Sequence, residues 1–497
     1  MTRLVVIGGG IAGLSAAHAA LKNWPDAQVS LLEAGPSWGG KIVSERVLSE
    51  QGEFVVEGGP DSFLAGKPYA LALCDELGLS ARLVGTLPVR RSTHILHHGR
   101  LLPLPEGLSM LIPTDFGSIL GSGLLSWRGK MRLGLDFVRP AGRAALNAGP
   151  DETLGAFISR RLGREAYDSL IEPLMSGIYA GDGDALSLQS TFPQLRALEM
   201  EYGSLARGAL EMRRKALANG QAARGSRSTF LTTESGLAEL VMALQAWLDA
   251  HGVVLRLNSA VSRVARRAGG YGLDLADGST LDAQAVILAT PPFVSAGLLA
   301  GLDPLLAADL RAIPYVSTAT ISLAYRLADL PQVPDGYGYV IPRREGRRAL
   351  ACTWTSSKFP GRAPAGGALM RVFVGRAGQD ILSCSQSELL AVARDELART
   401  LGITADPLFS RVFIWEQAMP QYNLGHLERL ARIDAALAGH PGLALAGNGY
   451  KGIGIPDCIH SGELAAGSVL SPGLSGRSGA RDGIAASAQT APDRRLQ

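Results

Sequence analysis

The sequence predicts an α/β fold of two or three domains built around an N-terminal βαβ unit. Three observations support this prediction. A strand, a glycine-rich turn, a helix and a second strand follow one another over residues 3–33. A helix, strand and hairpin series resumes over 230–290, and a glycine-rich strand-to-helix turn follows over 443–466. At 497 residues the chain is also too long for one ordinary hydrophobic core.

The N-terminal unit has the spacing of a dinucleotide site. Strand residues 3–7 lead into Gly8-Gly9-Gly10-Ile11-Ala12-Gly13, a helix follows over 11–22, and a second strand runs from Gln28 to Glu33. In this motif the first glycine permits the tight turn, the second lets the backbone approach a pyrophosphate, and the third lets helix and strand pack closely. The carboxylate of Glu33 suits a ribose hydroxyl, so we expect a Rossmann-like dinucleotide-binding domain.

A second glycine turn distinguishes a flavin from a nicotinamide carrier. Gly35-Pro36-Ser37-Trp38-Gly39-Gly40-Lys41 continues directly from the second strand. With Glu33-Ala34 it forms the pattern E-A-x-x-x-x-G-G-[KR], which resembles the flavin amine oxidases and their relatives. That resemblance implies FAD, with Gly40 and Lys41 near the flavin side of the cofactor. The alternative is a surface turn that carries a solvated lysine.

Composition excludes several function classes. The net charge is +3 from 48 basic and 45 acidic residues, which is too balanced for a nucleic-acid-binding protein. The 46% hydrophobic content and 61 glycines fit an α/β enzyme. The four cysteines are far apart and predict neither a disulfide framework nor a zinc site, as expected for a reducing cytoplasm. The first strand begins at once, so we expect no signal peptide.

The stretch 107–127, GLSMLIPTDFGSILGSGLLSW, raises the question of a membrane. It is mostly apolar, but Pro113 and four glycines interrupt it, and a basic cluster at Arg128, Lys130 and Arg132 follows. A spanning helix needs about twenty apolar residues without such breakers. We expect a helical subdomain here, which either lies against a membrane, lines an apolar channel or forms a buried helical hairpin.

Two later segments of the chain are expected to return to the first domain and complete it. A helix over 237–250, strands over 253–257 and 261–264, a hairpin turning at Asp277-Gly278, and the buried strand 284–290 form one return. The strand 443–447 and the segment NGYKGIGIPDCIHSGELAA, with a helix after Pro456, form the second. Backbone N–H groups in such a turn and the helix dipole would stabilise negative charge on a reduced flavin.

Longer segments carry a closer resemblance. These segments are GGPDSFLAGK (58–67), IEPLMSGIYAGDGDALSLQSTFPQL (171–195), ACTWTSSKFPG (351–361), MPQYNLGH (419–426) and GIGIPDCIHSGELAA (452–466). They resemble the oxygen-dependent protoporphyrinogen oxidase family over residues 3–470, and within it the soluble bacterial branch that oxidises coproporphyrinogen III. The resemblance implies FAD, O2 as electron acceptor, and a Rossmann-like FAD-binding domain with a mixed-sheet substrate domain and a helical subdomain.

The resemblance also implies site residues and domain boundaries. FAD contacts fall on Gly8, Gly9, Gly10, Ile11, Ala12, Gly13, Glu33, Ala34, Gly40, Lys41, Gly59, Pro60, Asp61, Ser62, Val261, Ile453, Gly454 and Ile455. Lys67 matches a lysine that meets a substrate propionate, with a surface lysine as the alternative. The FAD-binding domain comprises 1–68, 226–292 and 425–471; the substrate domain comprises 69–105, 190–225 and 293–424; the helical subdomain comprises 106–189, and 472–497 form a disordered tail. Asn448 to Lys451 is bulkier and more basic than in some relatives.

Other polar groups have simpler explanations. His94, His97 and His98 lack a nearby carboxylate, so we predict no metal site. Four arginines between 343 and 348 either attract propionates or form a solvated loop, and Asp457 either takes part in catalysis or interacts with a helix dipole. No catalytic base is assigned, because electron-rich pyrroles assist oxidation of the bridging carbons.

Several alternatives stay open at the level of function. One is oxidation of protoporphyrinogen IX, another is a flavin amine or carotenoid oxidoreductase, and a third is a binding protein for FAD or porphyrin without catalysis. Contact with a membrane surface and handover of the product to a downstream chelatase are also open. The sequence carries no pattern that determines the oligomeric state.

Overall fold

The computed structural model describes residues 2–87, 92–105, 108–109, 112–113, 116–139, 151–218, 228–333 and 335–470. The predicted tail 472–497 lies outside these residues. The strands are β1 Arg3–Ile7, β2 Gln28–Leu32, β3 Ser44–Ser49, β4 Gly52–Glu57, β5 Phe63–Leu64, β6 Leu83–Gly85, β7 Thr93–His97, β8 Arg100–Pro103, β9 Leu108–Ser109, β10 Ile112–Pro113, β11 Phe230–Thr233, β12 Val254–Arg256, β13 Val261–Arg267, β14 Gly270–Leu275, β15 Thr280–Ala283, β16 Ala285–Leu288, β17 Tyr315–Arg326, β18 Gly338–Val340, β19 Ala349–Trp354, β20 Gly367–Val374, β21 Phe409–Pro420 and β22 Leu443–Leu445.

Helices connect these strands. The α-helices are α1 Ile11–Asn23, α2 Pro68–Glu76, α3 Phe116–Gly121, α4 Trp127–Gly134, α5 Leu154–Leu162, α6 Arg164–Ala166, α7 Glu172–Tyr179, α8 Leu188–Thr191, α9 Pro193–Tyr202, α10 Leu205–Ala218, α11 Ala238–Ala250, α12 Pro292–Leu299, α13 Pro304–Arg311, α14 Thr355–Lys358, α15 Gln386–Leu401, α16 His426–Ala438 and α17 Ile455–Leu470. Short 3-10 turns cover Ser80–Arg82, Leu135–Phe137, Leu327–Asp329 and Arg343–Glu345, and a π turn covers Tyr167–Ile171.

A five-stranded parallel sheet positions the cofactor motifs. Its order is β12-β2-β1-β16-β22, so it combines strands from three separated parts of the chain. Each central strand is a short apolar run, because both faces are covered by other elements. Helices α1, α2, α11 and α17 pack on one face, and the β13-β14-β15 sheet with α12, α13 and α16 packs on the other. The predicted βαβ unit, the hairpin and the two returning strands are confirmed, while the domain boundaries stay a prediction.

A seven-stranded mixed sheet forms the second layer. Its order is β21-β17-β20-β19-β18-β7-β8, in which β18 and β7 are parallel and the other pairs are antiparallel. Helix α15 covers one face with Leu389, Ala393 and Leu397. The expected combination of a Rossmann-like sheet with a mixed sheet is therefore confirmed.

Helices α3 to α7 lie within the range 106–189 expected for the helical subdomain, and α8 to α10 continue into the range 190–225 that was assigned to the substrate domain. We call α3 to α10 the helical region. Helices α5, α7 and α9 pack around Phe157, Met175 and Leu195 in an apolar core. The stretch 107–127 differs from the helical expectation at its start, since β9 and β10 pair antiparallel and α3 begins only at Phe116. Pro113 explains this late start, because proline has no N–H to continue a helix. Within the described ranges, no helix combines the length and apolar character needed to cross a bilayer.

Candidate active site

The glycine turn after β1 leaves room for a ligand at the position that the sequence predicts. A Cβ atom on Gly13 would lie 1.9 Å from the Gly8 carbonyl oxygen, so glycine is required for α1 to pack against the strand. A Cβ on Gly10 would meet no atom of the described residues within 4 Å. Ile11 and Ala12 begin α1, whose first N–H groups have no partner within the helix. The turn therefore fits a pyrophosphate beside Gly10.

Glu33 lies at the end of β2, at the same edge of the sheet as the glycine turn. Its two carboxylate oxygens accept hydrogen bonds from Gly9 N at 2.6 Å and Gly35 N at 2.7 Å. These bonds orient the carboxylate, and each oxygen keeps a lone pair for a further donor. This position suits a ribose hydroxyl, as the sequence analysis predicts, and Ala34 follows in the same loop.

The second glycine turn packs directly on the first. Gly39 N donates to the Gly9 carbonyl oxygen at 2.8 Å, and a Cβ on Gly40 would lie 3.2 Å from the Gly10 Cα. Lys41 follows, and burial lowers the pKa of its ammonium group. Lys41 forms no ion pair with the carboxylates of the described residues. A partly buried cation without a carboxylate partner among the described residues fits an electron-rich or anionic ligand at this edge.

The segment Gly59-Pro60-Asp61-Ser62 is held by the second sheet. Asp61 Oδ2 lies 3.0 Å from Lys358 Nζ and 3.1 Å from the Arg371 guanidinium, and Ser62 Oγ donates to Asp61 Oδ1 at 2.7 Å. Burial would raise the pKa of Asp61, but the two cations hold it well below its usual range. Its carboxylate therefore attaches the segment after β4 to the seven-stranded sheet and α14, a role that sequence reasoning missed although Lys358 lies in the ACTWTSSKFPG segment.

Two further predicted cofactor positions lie beside the same sheet. Val261 begins β13 and packs on the apolar cluster that covers one face of the five-stranded sheet. The turn Ile453-Gly454-Ile455 follows β22 and leads into α17, and Ile453 also packs against the core of the helical region. The turn thus lies where the cofactor sheet meets the helical region.

Lys67 lies beside this turn. Its Nζ is 2.5 Å from Asp457 Oδ1, with the lysine side chain 44% exposed and the aspartate side chain 16% exposed. Asp457 Oδ2 also accepts a hydrogen bond from Gly454 N at 3.2 Å. Sequence analysis named both residues but did not pair them. Their occurrence in two family segments, GGPDSFLAGK and GIGIPDCIHSGELAA, was the only signal.

Aromatic and apolar side chains lie between α7 and the seven-stranded sheet. Ala180, Leu350 and Ala351 form a buried cluster against which Val316 and Met419 pack. Nearby, Tyr422 Oη donates to the Asn448 carbonyl oxygen at 2.5 Å. The Tyr422 ring is tilted by 15° from that of His426, with the ring centroids 4.3 Å apart. His426 Nε2 lies 2.9 Å from the Tyr450 carbonyl oxygen, so these two side chains hold the bulky 448–451 turn.

The arginines and histidines that the sequence analysis left without an assigned role contact other protein groups. Arg343 donates to the carbonyl oxygens of Gly181 and Ala377, and the Arg344 guanidinium lies 2.6 Å from His97 Nδ1. The described part of the chain contains no group of three or more His, Cys, Asp or Glu side chains placed to hold a metal ion.

Comparisons with known proteins agree on one family. The flavin containing amine oxidoreductase family matches residues 11–470. Coproporphyrinogen III oxidase of Bacillus subtilis is 36% identical over 474 residues, which cover 94% of this chain and 97% of that protein. Protoporphyrinogen oxidase 1 of Arabidopsis thaliana chloroplasts is 32% identical over 483 residues, covering 92% and 86% of the two chains.

Solved structures show the same fold. The crystal structure of a proposed protoporphyrinogen oxidase from Exiguobacterium sp. 255-15 is 33% identical, with a TM-score of 0.82, and the match covers 94% of this chain and 98% of that one. A putrescine oxidase structure shares the fold at 16% identity, with a TM-score of 0.66 and coverage of 94% and 98%. From these matches and the geometry of its glycine turns, the chain belongs to the flavin containing amine oxidoreductase family.

Proposed function

We propose that this FAD-dependent oxidoreductase oxidises coproporphyrinogen III to coproporphyrin III with O2 in haem biosynthesis. The observation that carries the proposal is near-full-length similarity to three bacterial proteins named coproporphyrinogen III oxidase, at 33–36% identity. The reaction removes six electrons and six protons from the porphyrinogen, and three O2 become three H2O2. The alternative substrate is protoporphyrinogen IX, because the plant relatives are named for that activity.

The residues at the carboxyl edge of the five-stranded sheet fit FAD. The open space beside Gly10 suits the pyrophosphate, Glu33 suits a ribose hydroxyl, and the partly buried Lys41 has no carboxylate partner among the described residues. In our proposal Val261, the Gly59–Ser62 segment and the turn Ile453–Ile455 complete the binding site. When bound, FAD would accept two electrons in each round and pass them to O2.

The protein mainly contributes orientation and exclusion of water. A porphyrinogen is a largely apolar macrocycle with carboxylates at its rim. Its binding site therefore needs an apolar slot with cations at the edge. In our proposal the slot lies beside the buried cluster of Ala180, Leu350 and Ala351, where Met419 packs between the helical region and the mixed sheet. We assign no catalytic base, since the pyrroles themselves favour oxidation of the bridging carbons.

We assign Lys67 to a substrate propionate. An ammonium group has three donors, and the ion pair with Asp457 uses one of them. The side chain is 44% exposed, so the remaining donors are accessible to a carboxylate. Coproporphyrinogen III has four propionates where protoporphyrinogen IX has two, so a cation at the rim favours the former.

The substrate assignment is tested by kinetics with both porphyrinogens. Anaerobic porphyrinogen is mixed with aerobic enzyme, and porphyrin fluorescence is followed. We expect a higher kcat/KM for coproporphyrinogen III, and Lys67→Ala should raise KM for it more than for protoporphyrinogen IX, with kcat less affected. Lys22→Ala, which removes a lysine at the far end of α1, is the matched control. An equal or higher kcat/KM for protoporphyrinogen IX would favour the alternative substrate.

We also propose that the protein works in the cytoplasm and touches a membrane surface through α4. Trp127, Met131 and Leu135 are 68%, 61% and 52% exposed and recur every four residues, so they form one apolar stripe. Arg128 and Lys130 lie on the same helix and would attract anionic lipid headgroups. Such contact would keep the enzyme near the downstream chelatase that receives the porphyrin.

A further inference from the structure

We infer that Asp457 and Lys67 act together as positioning residues that set the reduction potential of the bound flavin. The inference rests on the proposed function, because it requires FAD at the edge of the five-stranded sheet. In it, the Asp457 carboxylate holds the turn before α17 in place, and the Lys67 ammonium group neutralises the charge that this carboxylate brings close to the cofactor.

The first step is the local geometry of Asp457. The residue lies in the first turn of α17, and its side chain turns back on the preceding loop. Oδ2 accepts a hydrogen bond from Gly454 N at 3.2 Å, and Oδ1 accepts one from Lys67 Nζ at 2.5 Å. Gly452 has a φ of +84°, and a Cβ there would lie 2.4 Å from Asp457 Cγ. The carboxylate therefore packs against the turn Gly452–Gly454 and determines its conformation.

The second step is the position of this turn relative to the phosphate turn. Parallel strands bring their carboxyl ends to one edge, so the turn after β22 lies on the same side of the sheet as the turn after β1. Helices α1 and α17 return from that edge in the same direction, and a Cβ on Gly462 would lie 2.3 Å from the Ala12 carbonyl oxygen. At this contact, Gly462 is preceded by seven residues of α17, whereas Ala12 is preceded by only one residue of α1. The first turn of α17 therefore extends beyond the phosphate turn.

The third step is the set of charges around that projecting turn. Cys458 is buried next to Asp457, and burial and Asp457 raise the pKa of its thiol to about 12, against the opposing effect of Lys41 and Lys67. Lys41 in turn follows Gly40, which packs against Gly10. The charges near the first turn of α17 are thus those of Lys41, Lys67 and Asp457, beside the glycine turns assigned to FAD. Burial raises the pKa of the Tyr179 and Tyr422 phenols, and the negative charge of Asp457 raises both further.

The fourth step is the sign of each charge effect. Two-electron reduction of a flavin with uptake of one proton leaves a negative charge on the ring. A carboxylate nearby disfavours that charge, and a nearly buried carboxylate does so more strongly than an exposed one. Lys67 cancels this effect. Removing Lys67 should therefore lower the flavin potential, removing the Asp457 charge should raise it, and removing both should return it toward the wild-type value.

The experiment is a double-mutant cycle on the FAD-loaded protein. The variants are Lys67→Met, Asp457→Asn and the double variant, with Lys22→Met as the control that breaks a distant ion pair with Glu76. Asn keeps an oxygen acceptor for Gly454 N, and Met keeps the apolar stem of Lys67. The flavin potential is measured against a reference dye, without porphyrinogen, by slow enzymatic reduction.

We expect each single variant to change the ratio of oxidised to reduced flavin at a fixed potential by about tenfold, in opposite directions. For a two-electron couple this is about 30 mV. The double variant and Lys22→Met should stay near the wild-type potential. Shifts of the same sign, or no shift in a flavin-loaded variant, would overturn the inference.

Two outcomes separate this inference from the proposed function. A wild-type protein that binds no FAD contradicts the proposed function itself, whereas normal FAD content with unshifted potentials contradicts only the role of the pair. If Asp457→Asn loses FAD, its flavin potential cannot be measured, and the inference is then tested by the potentials of Lys67→Met and Lys67→Arg. Lys67→Met must lower the potential and Lys67→Arg must leave it unchanged, and any other result overturns the inference.

Discussion

Gly10 and Gly13 in the first glycine turn are glycine for different physical reasons. Gly13 needs to be glycine because a Cβ would overlap the Gly8 carbonyl oxygen, whereas Gly10 has an ordinary extended backbone with φ −72° and ψ 174°. Any residue can adopt that backbone conformation, and the space beside it is open. We therefore propose that glycine at position 10 leaves room for a ligand, whereas glycine at position 13 is required for packing.

This difference predicts opposite behaviour for two variants. Gly10→Val should fold with a Tm close to that of the wild-type apoprotein but lose FAD, because the side chain would occupy the pyrophosphate path. Gly13→Ala should lower the Tm of the apoprotein, since the helix must move. Flavin absorbance after purification and thermal unfolding of apoprotein provide the two readouts. Full flavin occupancy in Gly10→Val would mean that the turn does not bind the cofactor as proposed.

Glu33 offers a second test at the residue scale. Glu33→Ala should weaken FAD binding by roughly 1–3 kcal/mol, the range for a lost hydrogen bond to a charged group. Glu33→Gln keeps an acceptor oxygen for one backbone N–H and serves as the control for loss of the loop contacts to Gly9 and Gly35. The FAD dissociation constant, measured by flavin fluorescence, should rise in Glu33→Ala and rise less in Glu33→Gln. An unchanged dissociation constant in Glu33→Ala would contradict the assignment of Glu33 to the ribose.

At the scale of elements, the segment after β4 is attached to the mixed sheet by charges and backbone acceptors. Trp415 Nε1 and Thr320 Oγ1 donate to the Gly58 carbonyl oxygen at 2.9 Å and 2.6 Å, and Arg371 donates to the Gly59 carbonyl oxygen at 2.8 Å. Asp61 completes this connection through Lys358 and Arg371. The position of this segment on the mixed sheet therefore depends on residues from β17, β20, β21 and α14.

Asp61→Asn should destabilise the protein by about 3–5 kcal/mol at neutral pH, because it leaves two nearly buried cations without their carboxylate. The folded-state pKa of Asp61 is depressed, so its contribution is fully present above the unfolded-state pKa of about 3.9 and declines as pH falls further. Chemical unfolding of the wild type and Asp61→Asn across pH should show the difference shrinking below about pH 4. A difference that stays constant down to pH 2 would argue against an ionised Asp61.

At the scale of the whole molecule, the helical region presents an apolar stripe to solvent, formed by Trp127, Met131 and Leu135. Beyond Leu135, Val138 continues the stripe with 73% exposure. The helix beneath it is anchored by Arg132, which donates to the carbonyl oxygens at the end of α5. These bonds attach the helix that carries the stripe to α5, and the exposed apolar side chains are what contact with a lipid interface would require.

The membrane proposal predicts binding to vesicles that contain anionic phospholipid and weaker binding to purely zwitterionic ones. Trp127→Ser with Met131→Ser should reduce vesicle binding severalfold in a flotation assay while FAD content stays unchanged. Leu305→Ser, at another strongly exposed apolar position on α13, is the matched control. Equal flotation of wild type and the double variant would contradict contact through α4.

The sequence by itself determined the local units of this protein. The βαβ unit, the hairpin and the strand-to-helix turn before α17 follow from apolar runs and glycine positions over short distances, and the structure agrees with them. The residues around Gly8–Gly13 and Glu33 were likewise predictable, because strand, turn, helix and acid occur in register along one stretch of chain.

Only the tertiary structure decided which distant charges meet. Asp61 and Lys358 are separated by 297 positions, and Lys67 and Asp457 by 390. Such pairs depend on how two sheets and two helices come together, and no local periodicity encodes that. For the same reason, sequence analysis placed Asp457 at a helix start and expected Lys67 near a substrate without pairing them. The pair forms because α17 packs beside α2, which Lys67 directly precedes.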